Sequence, residues 1–416
     1  MIKRRLFDDL KAHLDQKEIS LIVGPRQAGK TTLMVMLKKH LESQRKKTLY
    51  LNFDIEADQQ FFTSQQNLVQ KISLEIGKDG GYVFLDEIQR KKDAGLFLKG
   101  IYDMNLPYKF IVSGSGSLEL KERIHESLAG RKRVFTLPTV SFLEFVNYKT
   151  EYKYENRPSE FFTLEVNAIQ RLLEEYLMFG GYPKVILQET ADAKRKAISE
   201  LYQSYIERDI TTLLNVKKTA HFSALVRLLA SQIGNLVNVA ELASTLGISV
   251  KTVGNYLWYL EKTFLVDRIS PYFKSIRKEI TKSPIYYFGD LGMRNYALGV
   301  FGASPIPSET GFLFQNFINN LLKEKIEHTP AGIHYWRTTD KAEVDFVIDQ
   351  IRAVIPIEVK YKKLVNPVVT RSYRNFLSRY KPEKGYIVHL GANQLATIDG
   401  TVIDFISFGQ LIFKSL

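Results

Sequence analysis

Residues 19–37 read ISLIVGPRQAGKTTLMVML, an apolar run, a glycine-bearing loop and a second apolar run. The first run is short enough to be a buried strand, and the second has the length and spacing of a helix. Between them, Gly24, Gly29, Lys30 and Thr31 fit G-x-x-x-x-G-K-[ST] in the strand–loop–helix setting that the pattern requires. Glycines let the backbone curl so that its N–H groups and the helix N-terminus face phosphate oxygens. Lys30 adds a cation for the β/γ end and Thr31 a hydroxyl for Mg²⁺. The expected ATP-binding set is therefore Gly24, Pro25, Arg26, Gln27, Ala28, Gly29, Lys30, Thr31 and Thr32. A plain structural turn needs neither the lysine nor the threonine.

A chain of 416 residues exceeds the size at which one core stops growing, so two to four domains are expected. Hydrophobic content of 45% and charged content of 25% are ordinary for globular protein. No apolar run reaches membrane-spanning length, and the N-terminus passes into an amphipathic helix rather than a leader's apolar core. Zero cysteines exclude disulfides and cysteine-ligated zinc, which suits a cytoplasmic protein. The formal charge of +13 favours nucleic acid or another polyanion as partner, although lysine-rich solvated surfaces are common.

Downstream of the loop, residues 48–54 and 81–88 read as further buried strands. The latter ends in Asp86-Glu87. Asp86 is expected to hold Mg²⁺ and Glu87 to orient or deprotonate the attacking water. A fourth strand, 108–116, ends in polar residues that make Ser113 a candidate γ-phosphate sensor, a simple strand-closing turn being the alternative. Arg131, in the basic segment 127–133, is a candidate for stabilising transition-state charge in cis or from a neighbouring subunit, against a solvated basic turn. His125, His221 and His334 stand without ligand-like spacing.

GPRQAGKTTL, NFD, VFLDEIQ, SGSGS, AGR and the later GGYP at 180–183 together resemble the AAA-type ATPases of bacteria and archaea that carry a C-terminal DUF4143 domain. The resemblance covers nearly the whole chain. It implies an ASCE-class P-loop core with a sensor and a basic residue near ATP, and a role for Arg208 and Asp209 in coupling a helix to the nucleotide. A salt-bridged helix surface is the plainer reading of that pair.

Residues 238–261 have the helix–turn–helix pattern, with Ser249 capping the second helix and Lys251, Thr252 and Asn255 on its outer face as DNA-contact candidates. Segments near 264–271 and 282–290 are expected to be wing strands. In the last quarter, Asp345 is followed thirteen residues later by Glu358-Val359-Lys360, which resembles the D…E-x-K core of PD-(D/E)XK nucleases. Two carboxylates there form a possible second metal site. Related chains place a glutamate in the preceding helix, where this one has Gln315, so cleavage is not expected.

The predicted class is α/β: a P-loop NTPase (ASCE/AAA-like) parallel sheet over 1–150, a helical linker or lid over 151–215, a winged helix over 216–300 and a small PD-(D/E)XK nuclease-like domain over 301–416. The predicted function is Mg²⁺-dependent ATP binding and hydrolysis coupled to a DNA-binding module. An ATP-dependent switch binding another protein, and an ATP-regulated metal-dependent nuclease, are the alternatives.

Overall fold

A computed structural model describes residues 1–115, 128–206, 219–273, 282–304 and 307–416. Arg208, Asp209 and His125 lie outside the described residues. Five strands form the N-terminal sheet: β1 (Ile19–Gly24), β2 (Thr48–Asn52), β3 (Gly81–Asp86), β4 (Tyr108–Ser115) and β5 (Lys132–Thr136). Their order is β2-β3-β4-β1-β5, and every pairing is parallel. Strands covered on both faces read as continuous apolar runs, and β1 is buried at all six positions. One face packs Leu33, Met34 and Leu37 of the helix Lys30–Ser43, and the other packs Leu68, Ile72, Phe97 and Leu98.

The glycine loop sits at the carboxyl end of β1, where open α/β sheets place their ligands. The chain leaving β5 runs directly beneath it. The Leu137 N–H donates to the Val23 carbonyl at 2.8 Å, and a Cβ on Gly24 would lie 2.1 Å from the Leu137 oxygen, so no side chain fits there.

Arg4, 7% exposed, fastens this arrangement. Its guanidinium donates to the Ala28 carbonyl in the loop (2.8 Å), the Pro138 and Thr139 carbonyls (2.7 and 3.2 Å) and the Glu144 carboxylate (3.0 Å). Glu144 also closes a capping box with Ser141 at the start of the helix Phe142–Lys149.

Past this helix, one core runs from Val140 to Leu411 through the helical middle of the chain and the C-terminal sheet. In the middle lie the helices Thr219–Ser231, Val239–Leu246 and Val250–Lys262, then an antiparallel pair, β6 (Val266–Pro271) and β7 (Ile285–Phe288). Leu236 bridges to Ile285. The expected wing segments are thus strands, and they do not stand apart. Ser270 and Pro271 of β6 pair with His334 and Tyr335 of β8 (Gly332–Arg337), giving an eight-stranded sheet. It continues through β9 (Glu343–Asp349), β10 (Val354–Val359), β11 (Lys384–His389), β13 (Thr401–Ser407) and β12 (Gln394–Ile398). Among the described residues, no helix is long and apolar enough to cross a membrane.

Arg4→Ala strips Glu144 and three carbonyls of a buried cation, which should cost about 3–5 kcal/mol. Arg4→Lys should recover less than half, because one ammonium lacks the planar fork that reaches all four partners. Thermal unfolding of both variants measures this, and a destabilisation within about 0.5 kcal/mol for Arg4→Ala contradicts it.

Candidate active site

Gly29, at φ 100°, turns the chain into the Lys30–Ser43 helix, whose N-terminus carries no side-chain cap. Its first N–H groups therefore keep their capacity for an anion, and the helix dipole favours negative charge there. Gln27 also takes a positive φ, 55°, in the loop. The Lys30 ammonium is buried against the loop, 3.1 Å from the Gly24 carbonyl and 2.8 Å from that of Pro25. Arg26, Gln27, Ala28 and Thr32 fall in the same loop and first helical turn.

The carboxylate of Asp86, at the end of β3, is completely buried. One oxygen accepts from the Thr31 hydroxyl (2.7 Å) and the Tyr50 hydroxyl (2.5 Å), the other from the Ser113 hydroxyl and the Glu87 N–H. Because β4 lies between β1 and β3, Ser113 is delivered to the carboxylate from the strand separating the two halves of the site. Sequence reasoning did not single out Tyr50. Its signal is local: it alternates with the buried Leu49 and Leu51, so its ring takes the face that carries the glycine-loop helix. Burial, and then the bond to Asp86, push its phenol pKa upward, so it stays a donor.

Glu87 follows at φ 57°, ψ 37°, a left-handed conformation that costs a non-glycine residue on the order of 1 kcal/mol. The turn presents its carboxylate beside that of Asp86. Burial, and then the Asp86 charge, raise its pKa above the ordinary glutamate value, and Gln89 donates to one of its oxygens. A carboxylate lifted in this way is a stronger base for a water proton near neutral pH.

One further candidate lies elsewhere. Arg131 precedes β5, and its carbonyl accepts from the Ile19 N–H, so it stands at the amino end of β1. Six residues of strand put it roughly 17 Å from the loop. Its guanidinium pairs with Asp103 at 2.7 Å. Within one chain, Arg131 does not reach the Lys30–Asp86 cluster. Asp54 ion-pairs with Arg90 at 3.1 Å.

In the C-terminal domain, β9 and β10 bring Asp345 and Glu358 side by side, as their spacing implies. All four carboxylate oxygens are engaged. Asp345 accepts from Gln315 Nε2 and the Val359 N–H, both at 2.7 Å. Glu358, buried, pairs with Lys360 at 2.6 Å and accepts from Thr370 at 3.0 Å. Gln315 thus turns its nitrogen toward the acid rather than offering its oxygen to a cation. That oxygen has no hydrogen-bond partner and is packed against Gly234. Among the described residues, no three His, Asp or Glu side chains gather to hold a metal.

Residues 16–146 match the model of the AAA domain family, 170–304 a domain of unknown function (DUF8612) and 310–410 the domain of unknown function DUF4143. An uncharacterized protein of Methanocaldococcus jannaschii is 26% identical over 82% of this chain and 74% of its own length. One from Mycobacterium tuberculosis is 25% identical over 94% and 81%. Among solved structures, Aeropyrum pernix Orc1 in complex with DNA aligns over 70% of this chain and 91% of its own (14% identity, TM-score 0.32). The Aquifex aeolicus DnaA bound to AMPPCP aligns over 63% and 90% (15% identity, TM-score 0.28).

The Asp345 network carries a pH signature. Burial, together with the nearby Glu358 charge, pushes its carboxyl up to about 7. Between the ordinary aspartate range and 7 the native state keeps a proton that the unfolded chain has released. Stability from this group therefore falls as pH rises through that window and levels off above it. Asp345→Asn removes the slope: its amide oxygen can accept from Val359, and its nitrogen can donate to Gln315 after that amide turns over. Relative to wild type, the variant should gain on the order of 1–3 kcal/mol between pH 5 and pH 8. Thermal unfolding at the two pH values measures it, and a difference that does not grow with pH contradicts the assignment.

Proposed function

The chain joins an AAA domain to a C-terminal DUF4143 domain, and we propose that it is an ATP-hydrolysing switch whose nucleotide state governs contact with DNA. The observation that carries the reading is the cluster in which Thr31, at the surface, meets the buried Asp86 and Ser113 beside the Lys30 loop, with Glu87 next to it. The donor set fits ATP with Mg²⁺. The uncapped helix N-terminus and Lys30 would take the phosphates, while Thr31 and Asp86 would hold the metal, Asp86 through water. Bound Mg²⁺ supplies neutralisation of charge on the phosphates.

Lys30, drawn from the Gly24 and Pro25 carbonyls onto the β/γ oxygens, holds the group to be transferred. Glu87 orients a water opposite the leaving oxygen and takes its proton. Ser113 and Tyr50 keep the Asp86 carboxylate in one orientation through hydroxyl donors. Arg4 links the loop to Pro138, Thr139 and Glu144, so a shift of the Ala28 carbonyl on nucleotide binding bears directly on the chain leading to the middle of the protein.

DNA contact is assigned to the winged-helix order of the middle segment. Asn238 and Ser249 cap its two helices, and Gly247 at φ 64° makes the turn between them. On the Val250–Lys262 helix, Lys251 and Asn255 are exposed, and the Thr252 hydroxyl lies 2.8 Å from that of Ser249. In the C-terminal domain, an amide rather than a third acid stands at position 315 and turns its nitrogen to Asp345, which supports a binding rather than a cleaving role.

Lys30→Ala should abolish turnover together with nucleotide binding. Glu87→Gln should bind ATP but turn it over roughly 10²–10⁴-fold more slowly. Phosphate release and equilibrium binding of a labelled ATP analogue separate the two; turnover unaffected by both substitutions removes the catalytic reading. Lys251→Glu should weaken duplex DNA binding and leave ATP affinity unchanged, and full retention of DNA by this variant removes the helix from the interface.

A further inference from the structure

The charge of the chain is unevenly placed. Residues 360–384 hold eight Lys and Arg against one acid, Glu383, a net +7 within a chain of net +13. Lys360 is paired with Glu358. The rest concentrate on the helix Arg371–Tyr380 and its flanks, on the side of the C-terminal sheet away from the helix that carries Gln315. Tyr373, Phe376 and Leu377 anchor the helix on Trp336, Val344 and Val347. Arg371, Arg374, Asn375, Ser378 and Arg379 face outward, and all are exposed. The helix contains no acid. Among the described residues, Arg371, Arg374, Lys362, Lys363 and Lys381 have no carboxylate at ion-pair distance. Beside the helix runs a groove of about 540 Å³, walled on the opposite side by Thr338 and Lys341 from the turn between β8 and β9, with Asp340 its one acidic lining residue.

We propose that this groove and helix face form a second nucleic-acid surface, one that grips the phosphate backbone of a duplex without reading bases. A solvated helix face ordinarily interleaves acids with its cations. This one carries no acid, only guanidinium, amide and hydroxyl groups that can donate to phosphate. Arginine forks match phosphate oxygens, and the stripe from Arg371 to Arg379 is about 12 Å long, enough to follow several charges of a backbone carrying one per ~1.7 Å of axis. Lys362, Lys363 and Lys381 extend the same field at the two ends of the helix. No residue of the surface belongs to the Val250–Lys262 helix or to the Asp345–Glu358 pair.

The test uses the full chain with a labelled 30-base-pair duplex of arbitrary sequence, titrated by fluorescence anisotropy from roughly 50 to 200 mM salt. Replacing Arg371, Arg374 and Arg379 together by Ala should flatten the slope of log affinity against log salt by about 2–3, close to 0.9 for each phosphate left without its arginine. Replacing the same three by Lys should keep most of the slope. ATP turnover and thermal unfolding report that the variants are folded, and Arg374→Glu alone, at an exposed position, should flatten the slope by at least about 1 if the triple variant is unstable. An unchanged slope in the Ala variant overturns the proposal, and leaves the winged-helix reading standing if Lys251→Glu still weakens binding. Failure of the wild-type chain to retain the duplex, with arginine-dependent binding to phosphatidylserine vesicles instead, also overturns it, in favour of a membrane surface.

Discussion

The buried guanidinium of Arg4 is the interaction on which the rest of the architecture depends. It satisfies one carbonyl of the glycine loop, two carbonyls of the strand-exit segment and the acid that caps the next helix. A buried cation is tolerated only when its donors are matched, so these four groups are held at fixed distances from one another. The consequence is mechanical. The glycine loop and the segment that leads out of the N-terminal sheet share a residue, and neither shifts without disturbing it.

Topology makes this sharing possible. In a parallel sheet every strand ends at the same edge, so the carboxyl end of β5 necessarily lies beside that of β1. Leu137 is therefore delivered under Gly24, and Thr139 and Glu144 follow within reach of the loop. The edge that carries the glycine loop is also the edge by which the chain departs. At the far end the middle segment is joined to the C-terminal sheet through β6 and β8, so the three helices, the hairpin and that sheet share one core. The exit segment itself contributes Val140 to that core.

Legibility in the sequence followed the range of the interactions. The glycine loop, Asp86-Glu87 and the capped helix pair at 238–262 are local patterns, each written in fewer than about twenty-five residues, and each appears as an element of the fold. Arg4 and Tyr50 act on partners 24 and 36 positions away, and nothing beside them in the chain marks that role. Arg131 shows the converse. A cation next to a glycine suggests a phosphate site, but only the strand register reveals that it sits at the amino end of the sheet. The continuity of β6 with β8 was equally hidden, because two residues of parallel pairing leave no periodic trace.

The C-terminal acids show how a single amide changes the chemistry open to a site. A glutamate at position 315 would put a third carboxylate against Asp345 and Glu358, an arrangement that a cation or a retained proton must relieve. The amide found there donates to Asp345 instead, and Val359, Lys360 and Thr370 complete the set. Two carboxylates that would otherwise repel are reconciled within the protein, one by burial that raises its pKa and one by an ammonium at 2.6 Å. What the domain then presents outward is determined by its other face, where Arg371, Arg374 and Arg379 project with no acid among them. Charge removed from the interior network by internal pairing leaves the field outside the domain dominated by those arginines, because paired buried charges cancel at a distance and exposed unpaired ones do not.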